Sequence, residues 1–542
     1  MDPQRITYLA ETDARGKRVS FGIKNIDRSK HVYVIGKTGM GKSTLLENMA
    51  IQDIKNGEGL AFVDPHGGTA EKLLEHVPEH RIKDVLYFAP FDMENPVSFN
   101  VMEDVGPEKR HLVVNGLMSV FEKIWEDAWS ARMAYILQNT LLALLEYPGA
   151  TLLAVNRMYT DKAFRTKVVE NVTDISVKSF WVDEYAKYTD KYAQEATPAI
   201  QNKIGQFAGN PLIRNIIGQA KSSFDVRKLM DEKKILIVNL SKGRVGEGNA
   251  RLLGSMLITK IYLAAMSRAD ENAAALSKLP PFYLYVDEFQ SFADRSFADI
   301  LSEARKYKLN LTIAHQYIEQ MEEEVRDAVF GNVGTMIVFR VGAYDADVLE
   351  KEFAPTFIAE DLVNLGLRQI YLKLMINSVA SLPFSASTLP PIEQSEALHV
   401  SEIVESSRQV FARPRVMVEK EITDWHMEGK TPEVKPLPKE APMTPYKPPV
   451  AKTPIVEKPI IPKLILKPIP PQPKPIMPNV SLKSLTKDNQ RKPDPKHVSD
   501  LRDALKNVIG SEPKKSVPES KPASVPVPGP RPEDLKNILN GS

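Results

Sequence analysis

The stretch that most constrains this chain lies close to its start. Four apolar residues, Val32–Ile35, lead directly into Gly36-Lys37-Thr38-Gly39-Met40-Gly41-Lys42-Ser43, and a helical pattern follows over 43–53. Three glycines in eight residues let the backbone curl until successive N–H groups point into one hollow. The N-terminus of the following helix adds partial positive charge there. Such a hollow is built for the phosphates of a nucleotide, ATP above all. Lys42 is placed to neutralise the β- and γ-phosphates, and the Ser43 hydroxyl to ligate Mg²⁺. Thr44 completes the expected binding turn.

A second constellation reads Tyr283-Leu284-Tyr285-Val286-Asp287-Glu288, an apolar strand ending in two acids. Carboxylates at the C-terminal end of a strand sit where open α/β sheets bind ligands. Asp287 is expected to hold the Mg²⁺, usually through water, and Glu288 to accept a proton from the attacking water. A third strand, Leu311-Thr312-Ile313-Ala314-His315-Gln316, also ends in polar residues. Gln316 is expected to sense the γ-phosphate or orient the water, the alternative being an amide that caps the strand. His315 reads as a packing or pore-facing residue. Arg305 follows Glu288 by 17 residues and precedes Gln316 by 11. In a ring it could reach a neighbouring subunit's nucleotide and stabilise transition-state charge. Arg340, at the end of the 336–339 run, competes for that role. Asp64, opening Asp64-Pro65-His66-Gly67 after the apolar run 60–63, is expected just behind the nucleotide contacts.

Short apolar runs at 32–35, 60–63, 85–88, 235–239, 282–286, 311–314, 336–339 and 370–374 alternate with helical patterns. Buried parallel strands joined by crossover helices look like this, so the class is α/β with a mostly parallel sheet. A small hairpin fits ahead of the first run, over 7–23. The stretch 106–230 breaks the alternation: apolar residues recur at helical spacing, Val114, Leu117, Val120, Phe121, Ile124 and Trp125 among them. We read it as an all-helical domain inserted into the α/β domain, with its two ends close together. The expected organisation is therefore an ATPase domain in two parts (1–105 and 231–395), the insert (106–230), a helical extension (396–430) and a tail (431–542).

Composition sets the tail apart. From residue 431 onward lie 25 of the 41 prolines, one aromatic residue (Tyr446), and 20 Lys/Arg against 11 Asp/Glu. Such a segment cannot bury enough apolar surface to offset its ordering entropy, and is expected to be disordered. Two related helical patches, 500–509 and 532–540, interrupt it and could dock on a partner protein. With no cysteine, disulfides and thiolate metal sites are excluded. No signal-like N-terminus and no run of about 18 apolar residues occurs.

Taken together, the turn 36–43, Val63-Asp64-Pro65-His66-Gly67, Val286-Asp287-Glu288-Phe289-Gln290, the spacing from Arg305 to Gln316, and Phe339-Arg340-Val341-Gly342 resemble the HerA/FtsK superfamily of DNA-translocating ATPases. Over about residues 20–425 the chain is most similar to the TraG/TraD-like coupling proteins of conjugation and type IV secretion. The resemblance implies a RecA-like domain carrying a helical insertion, a hexameric ring, and movement of DNA, often single-stranded, toward a membrane channel. It also implies the roles above for Lys42, Ser43, Asp287, Glu288 and Gln316, with Arg305 as arginine finger. Typical coupling proteins begin with transmembrane helices. This chain shows none, so a cytoplasmic ATPase is expected, either recruited to the inner face of the membrane by a partner or working wholly in the cytoplasm. The remaining alternatives are a HerA-like helicase in DNA processing, and an adaptor that recruits substrates with ATP as an assembly switch.

Overall fold

A computed structural model describes residues 2–13, 17–189, 197–394 and 398–428, all within one unit, Met1–Pro436. The tail and both of its helical patches lie outside the described residues.

The strands are β1 Ile6–Thr12, β2 Ser20–Lys24, β3 Val32–Ile35, β4 Gly59–Asp64, β5 Val85–Phe88, β6 Ile235–Asn239, β7 Phe282–Val286, β8 Leu309–His315, β9 Thr335–Val338, β10 Gln369–Lys373, β11 Met375–Ile376, β12 Val379–Ala380 and β13 Phe384–Thr388. All but the β11–β12 hairpin form one sheet, ordered β2-β1-β13-β10-β9-β3-β8-β7-β4-β6-β5. From β9 to β5 every pairing is parallel. These strands are almost wholly buried, as strands covered on both faces must be. Alternate residues of β3 feed two cores. Tyr33 and Ile35 join one with the helices Arg110–Ile124 and Glu247–Met266. Val32 and Val34 join the other, with Leu45, Leu46, Met49 and Ile51 of the helix Lys42–Lys55.

The α/β class and the mostly parallel sheet are as expected, but the apolar run 370–374 corrects one reading. Its strand, β10, pairs antiparallel with both β9 and β13. The helices Ala343–Phe353 and Ala359–Val363 turn the chain back at the edge where β9 ends, so β10 must run the other way. Its burial alternates accordingly. β13 and the hairpin β1–β2 extend this antiparallel flank.

Between β5 and β6, which are neighbours in the sheet, the chain forms helices and no strand among the described residues. This stretch is stitched where it leaves and returns: the Ser223 N–H donates to the Ser98 carbonyl at 3.1 Å, and the Asn100 side chain to the carbonyls of Ala150 and Ala220 at 3.0 and 2.8 Å.

The first segment is fastened to the helix Lys42–Lys55 by a buried charged pair. Arg28 donates to both carboxylate oxygens of Asp53 at 2.7 and 2.8 Å and to the Tyr285 hydroxyl at 2.7 Å. Its guanidinium lies 3.7 Å from the centre of the Tyr283 ring. No helix among the described residues is long and apolar enough to cross a membrane.

Candidate nucleotide site

The glycine-rich turn is held at its root by both strands that flank β3. The Gly36 N–H donates to the His315 carbonyl at 3.2 Å, and the Lys37 N–H to the Arg340 carbonyl at 2.8 Å. A Cβ at Gly36 would lie 2.5 Å from Phe339 Cβ, so no other residue fits there without moving β9. Gly39 and Gly41 take φ of 79° and 114°, the left-handed region where side chains are strained. The helix that follows has no side-chain cap. The N–H groups of Gly39, Gly41, Lys42 and Ser43 donate to no acceptor among the described residues. Uncommitted donors converging at a helix start are what an anionic phosphate group fits.

Lys42 is buried, and its Nζ donates to the carbonyls of Gly36 and Lys37 at 2.6 and 3.2 Å. Burial lowers its pKa, while the charges of Glu288 and Asp287 oppose that. Across the turn, the Ser43 Oγ donates to Asp287 Oδ2 at 2.8 Å. Burial raises the Asp287 pKa. The Ser43 bond counters this, and the charges of Glu288 and Asp64 add to it. An acidic group crowded by acids in a dry place, with one hydroxyl beside it, is a donor set that fits a divalent cation.

Asp64 ends the neighbouring strand β4. Its carboxylate accepts from the N–H groups of His66 and Ala70 at 2.8 and 2.9 Å, so it shapes the turn after β4 and presses on Asp287 by charge.

Glu288 has a left-handed backbone at φ 49°, unusual for a side-chain-bearing residue and concentrated at functional sites. Its N–H donates to Asp287 Oδ1 at 2.9 Å. One carboxylate oxygen accepts from the Gln290 amide at 2.6 Å, the other from the Gln316 amide. Gln316 in turn accepts from Thr38 Oγ1 at 2.9 Å. Turn, acid pair and third strand thus meet in one hydrogen-bonded group.

Other residues singled out in the sequence fall differently. Met40 is buried against the apolar core, while Thr44 is half-exposed on the helix. His315 is wholly buried, with the Tyr33 hydroxyl 3.1 Å from its Nδ1, so it packs and faces no pore. Burial, reinforced by the charge of Lys42, pushes its pKa down to about 3. Arg305 is not brought to this site. It is exposed before β8 begins, at the opposite edge of the sheet, and its side chain makes no hydrogen bond or ion pair among the described residues. Arg340 lies at the turn's own edge, and its side chain likewise has no partner among the described residues.

Two residues without a role in the sequence reading stand close to the turn. Gln290 closes the motif Val286-Asp287-Glu288-Phe289-Gln290, which by itself gives it no role. Arg368, at φ 64°, donates its N–H to the Met40 carbonyl at 3.3 Å and its guanidinium to the Thr388 carbonyl. Nothing in the sequence ties it to residue 40.

Residues 6–345 match the family described as type IV secretory system conjugative DNA transfer. The chain belongs to that family. The resemblance to coupling proteins therefore holds. No match was found among curated protein sequences. Among solved structures, the chain is similar to the unbound bacterial conjugative coupling protein TrwBdeltaN70, at 15% identity and TM-score 0.52, over 71% of this chain and 90% of that one. It is similar to the plasmid coupling protein TrwB in complex with ADP and Mg²⁺, at 14% identity and TM-score 0.53, over 74% and 98%. It also resembles VirB4 of Thermoanaerobacter pseudethanolicus, at 13% identity and TM-score 0.50, over 72% and 97%. These likenesses show a shared RecA-like fold.

Proposed function

We propose that this chain is an ATP-hydrolysing motor that moves DNA for a type IV secretion or conjugation machinery. One observation carries the reading: the Ser43 hydroxyl meets the Asp287 carboxylate at 2.8 Å, with Lys42 near enough to feel the charges of Glu288 and Asp287. Lys42 and the N–H groups of residues 36–44 would bind the triphosphate. Ser43 and Asp287 would hold Mg²⁺, which supplies charge neutralisation on the phosphates when bound. Glu288 takes a proton from the attacking water as that oxygen bonds to the γ-phosphorus. The bond to the β–γ bridging oxygen breaks, and ADP leaves with it. Gln316 orients the water or registers the γ-phosphate.

Family membership and the TrwB complexes with nucleotide support this reading. By the same reasoning the chain works as a homo-oligomeric ring, a hexamer, with Arg305 completing the neighbouring subunit's site. The helical stretch 106–230 acts as an inserted domain, and the tail from 431 binds a partner protein. DNA contacts would be mostly to backbone phosphates, hence salt-sensitive and weakly sequence-specific. A membrane or channel protein would recruit the ring to the inner face of the membrane.

The test is ATP turnover with and without single- and double-stranded DNA, alongside native mass. A hexamer with DNA-stimulated turnover is expected. Slow turnover indifferent to DNA would replace the motor by a nucleotide switch.

A further inference from the structure

Both carboxylate oxygens of Glu288 are engaged, so the direction in which it can receive a proton is set by its two partners. Each accepts a hydrogen bond from a side-chain amide: Oε2 from Gln290 at 2.6 Å, Oε1 from Gln316. Hydrogen bonds from amides to a carboxylate are strong. They occupy one lone pair on each oxygen and fix the direction in which the remaining ones point.

The two amides are mounted differently. Gln290 lies on the short helical turn Phe289–Ser291 that follows Glu288, closed by the Ser291 N–H on the Glu288 carbonyl at 2.9 Å. It travels with Glu288. Its own Oε1 is buried with no hydrogen-bond partner. An orphaned buried oxygen is unfavourable. Rotating the amide would turn that oxygen against the carboxylate, so the charge of Glu288 dictates the present orientation. Gln316 stands on a separate element, just after β8, and its carbonyl is bonded to Thr38 in the phosphate-binding turn at 2.9 Å. Its position therefore answers to that turn.

We propose that Gln290 is a positioning residue that permanently orients Glu288, while Gln316 is a releasable latch. A shift of Thr38 toward bound phosphate draws Gln316 away, and frees Oε1 for the water while Oε2 stays held. This inference rests on Glu288 being the general base, and it adds a residue and a sequence of events to that assignment. The fixed partner keeps the carboxylate aimed through the left-handed backbone at φ 49°, which by itself would not fix the side chain.

The experiment uses the full chain. Gln290→Met removes the donor with little change in shape. Gln290→His restores a ring N–H donor. Turnover, KM for ATP and equilibrium binding of a fluorescent ATP analogue are measured for each, with thermal unfolding to confirm folding. The expected result is a kcat at least tenfold lower for Gln290→Met, with KM and analogue affinity within about twofold of the parent chain. Gln290→His should regain part of kcat. Thr38→Val, which cuts the latch from the turn, should lower kcat independently of Gln290. Unchanged kcat in Gln290→Met overturns the proposal. So does a fall in kcat matched by lost analogue binding or a lowered unfolding temperature, because that marks a structural role. The underlying assignment fails differently: Glu288→Gln would then turn over like the parent chain, whatever Gln290 does.

Discussion

Ser43 and Asp287 are 244 residues apart, and the hydroxyl of one donates to the carboxylate of the other at 2.8 Å. The first opens the helix after β3 and the second closes β7, with β8 between those strands in the sheet. Parallel strands end at one edge, so loops far apart in sequence deliver their side chains to the same place.

Lys42→Ala should weaken ATP binding at least thirtyfold. Removing the charged partner of a buried, hydrogen-bonded group costs about 2 kcal/mol or more. Titration with a fluorescent nucleotide measures this. Binding within threefold of the parent chain would remove Lys42 from the phosphate site.

Glu288→Gln keeps the shape of the side chain and loses its basicity. Nucleotide affinity should hold while hydrolysis falls at least about a hundredfold, the lower end of what a general base contributes. Single-turnover phosphate release is the measurement, and parent-like rates would refute the catalytic assignment.

Arg28→Ala leaves Asp53 charged and buried, with Tyr285 as its remaining neighbour. Breaking a buried ion pair in this way destabilises by roughly 3–5 kcal/mol. Denaturant unfolding of the two chains compares them directly. A loss under about 1 kcal/mol would mean the pair is not desolvated as described.

His31 supplies a pH effect on stability. Burial, with the charge of Arg305 adding to it, holds its pKa down at about 4. The unfolded chain binds that proton near pH 6.5, so the folded form's advantage is complete above pH 6.5. It is lost as pH falls toward 4, by roughly 3 kcal/mol at most. His31→Asn, a residue that tolerates the left-handed backbone at φ 62°, should flatten this part of the stability curve. An identical acid limb in both chains would rule His31 out.

Every candidate site residue, Arg368 included, lies between 36 and 368. A chain ending at residue 430 should therefore keep its ATP turnover while losing partner recruitment. Lost turnover in a soluble, folded truncation would show that the tail belongs to the enzyme.

The parts of this molecule legible from sequence are those whose chemistry is local. A strand, three glycines and a lysine specify the turn at 36–43 almost alone, and the apolar run into Asp287 and Glu288 needed only one more inference. Direction was not legible. Apart from Lys373 the run at 370–374 reads like the parallel ones, and only the connection after β9 reverses it. β13 has little hydrophobic signature, because in Phe384-Ser385-Ala386-Ser387-Thr388 the residues that turn inward, Ala386 and Thr388, are small. Arg368 is silent because its partners, Met40 and Thr388, are fixed by tertiary contact, while Gln290 stands in the motif 286–290 but, as a polar side chain in a turn, carries no period that assigns it a role.

Gly36 and Phe339 leave each other no spare room, and the bond from Lys37 to Arg340 follows at once. The strands bearing them cannot slide past one another without carrying the phosphate hollow along. A push from outside at the end of β9 therefore meets the phosphate hollow directly, through the Gly36–Phe339 contact and the Lys37–Arg340 bond.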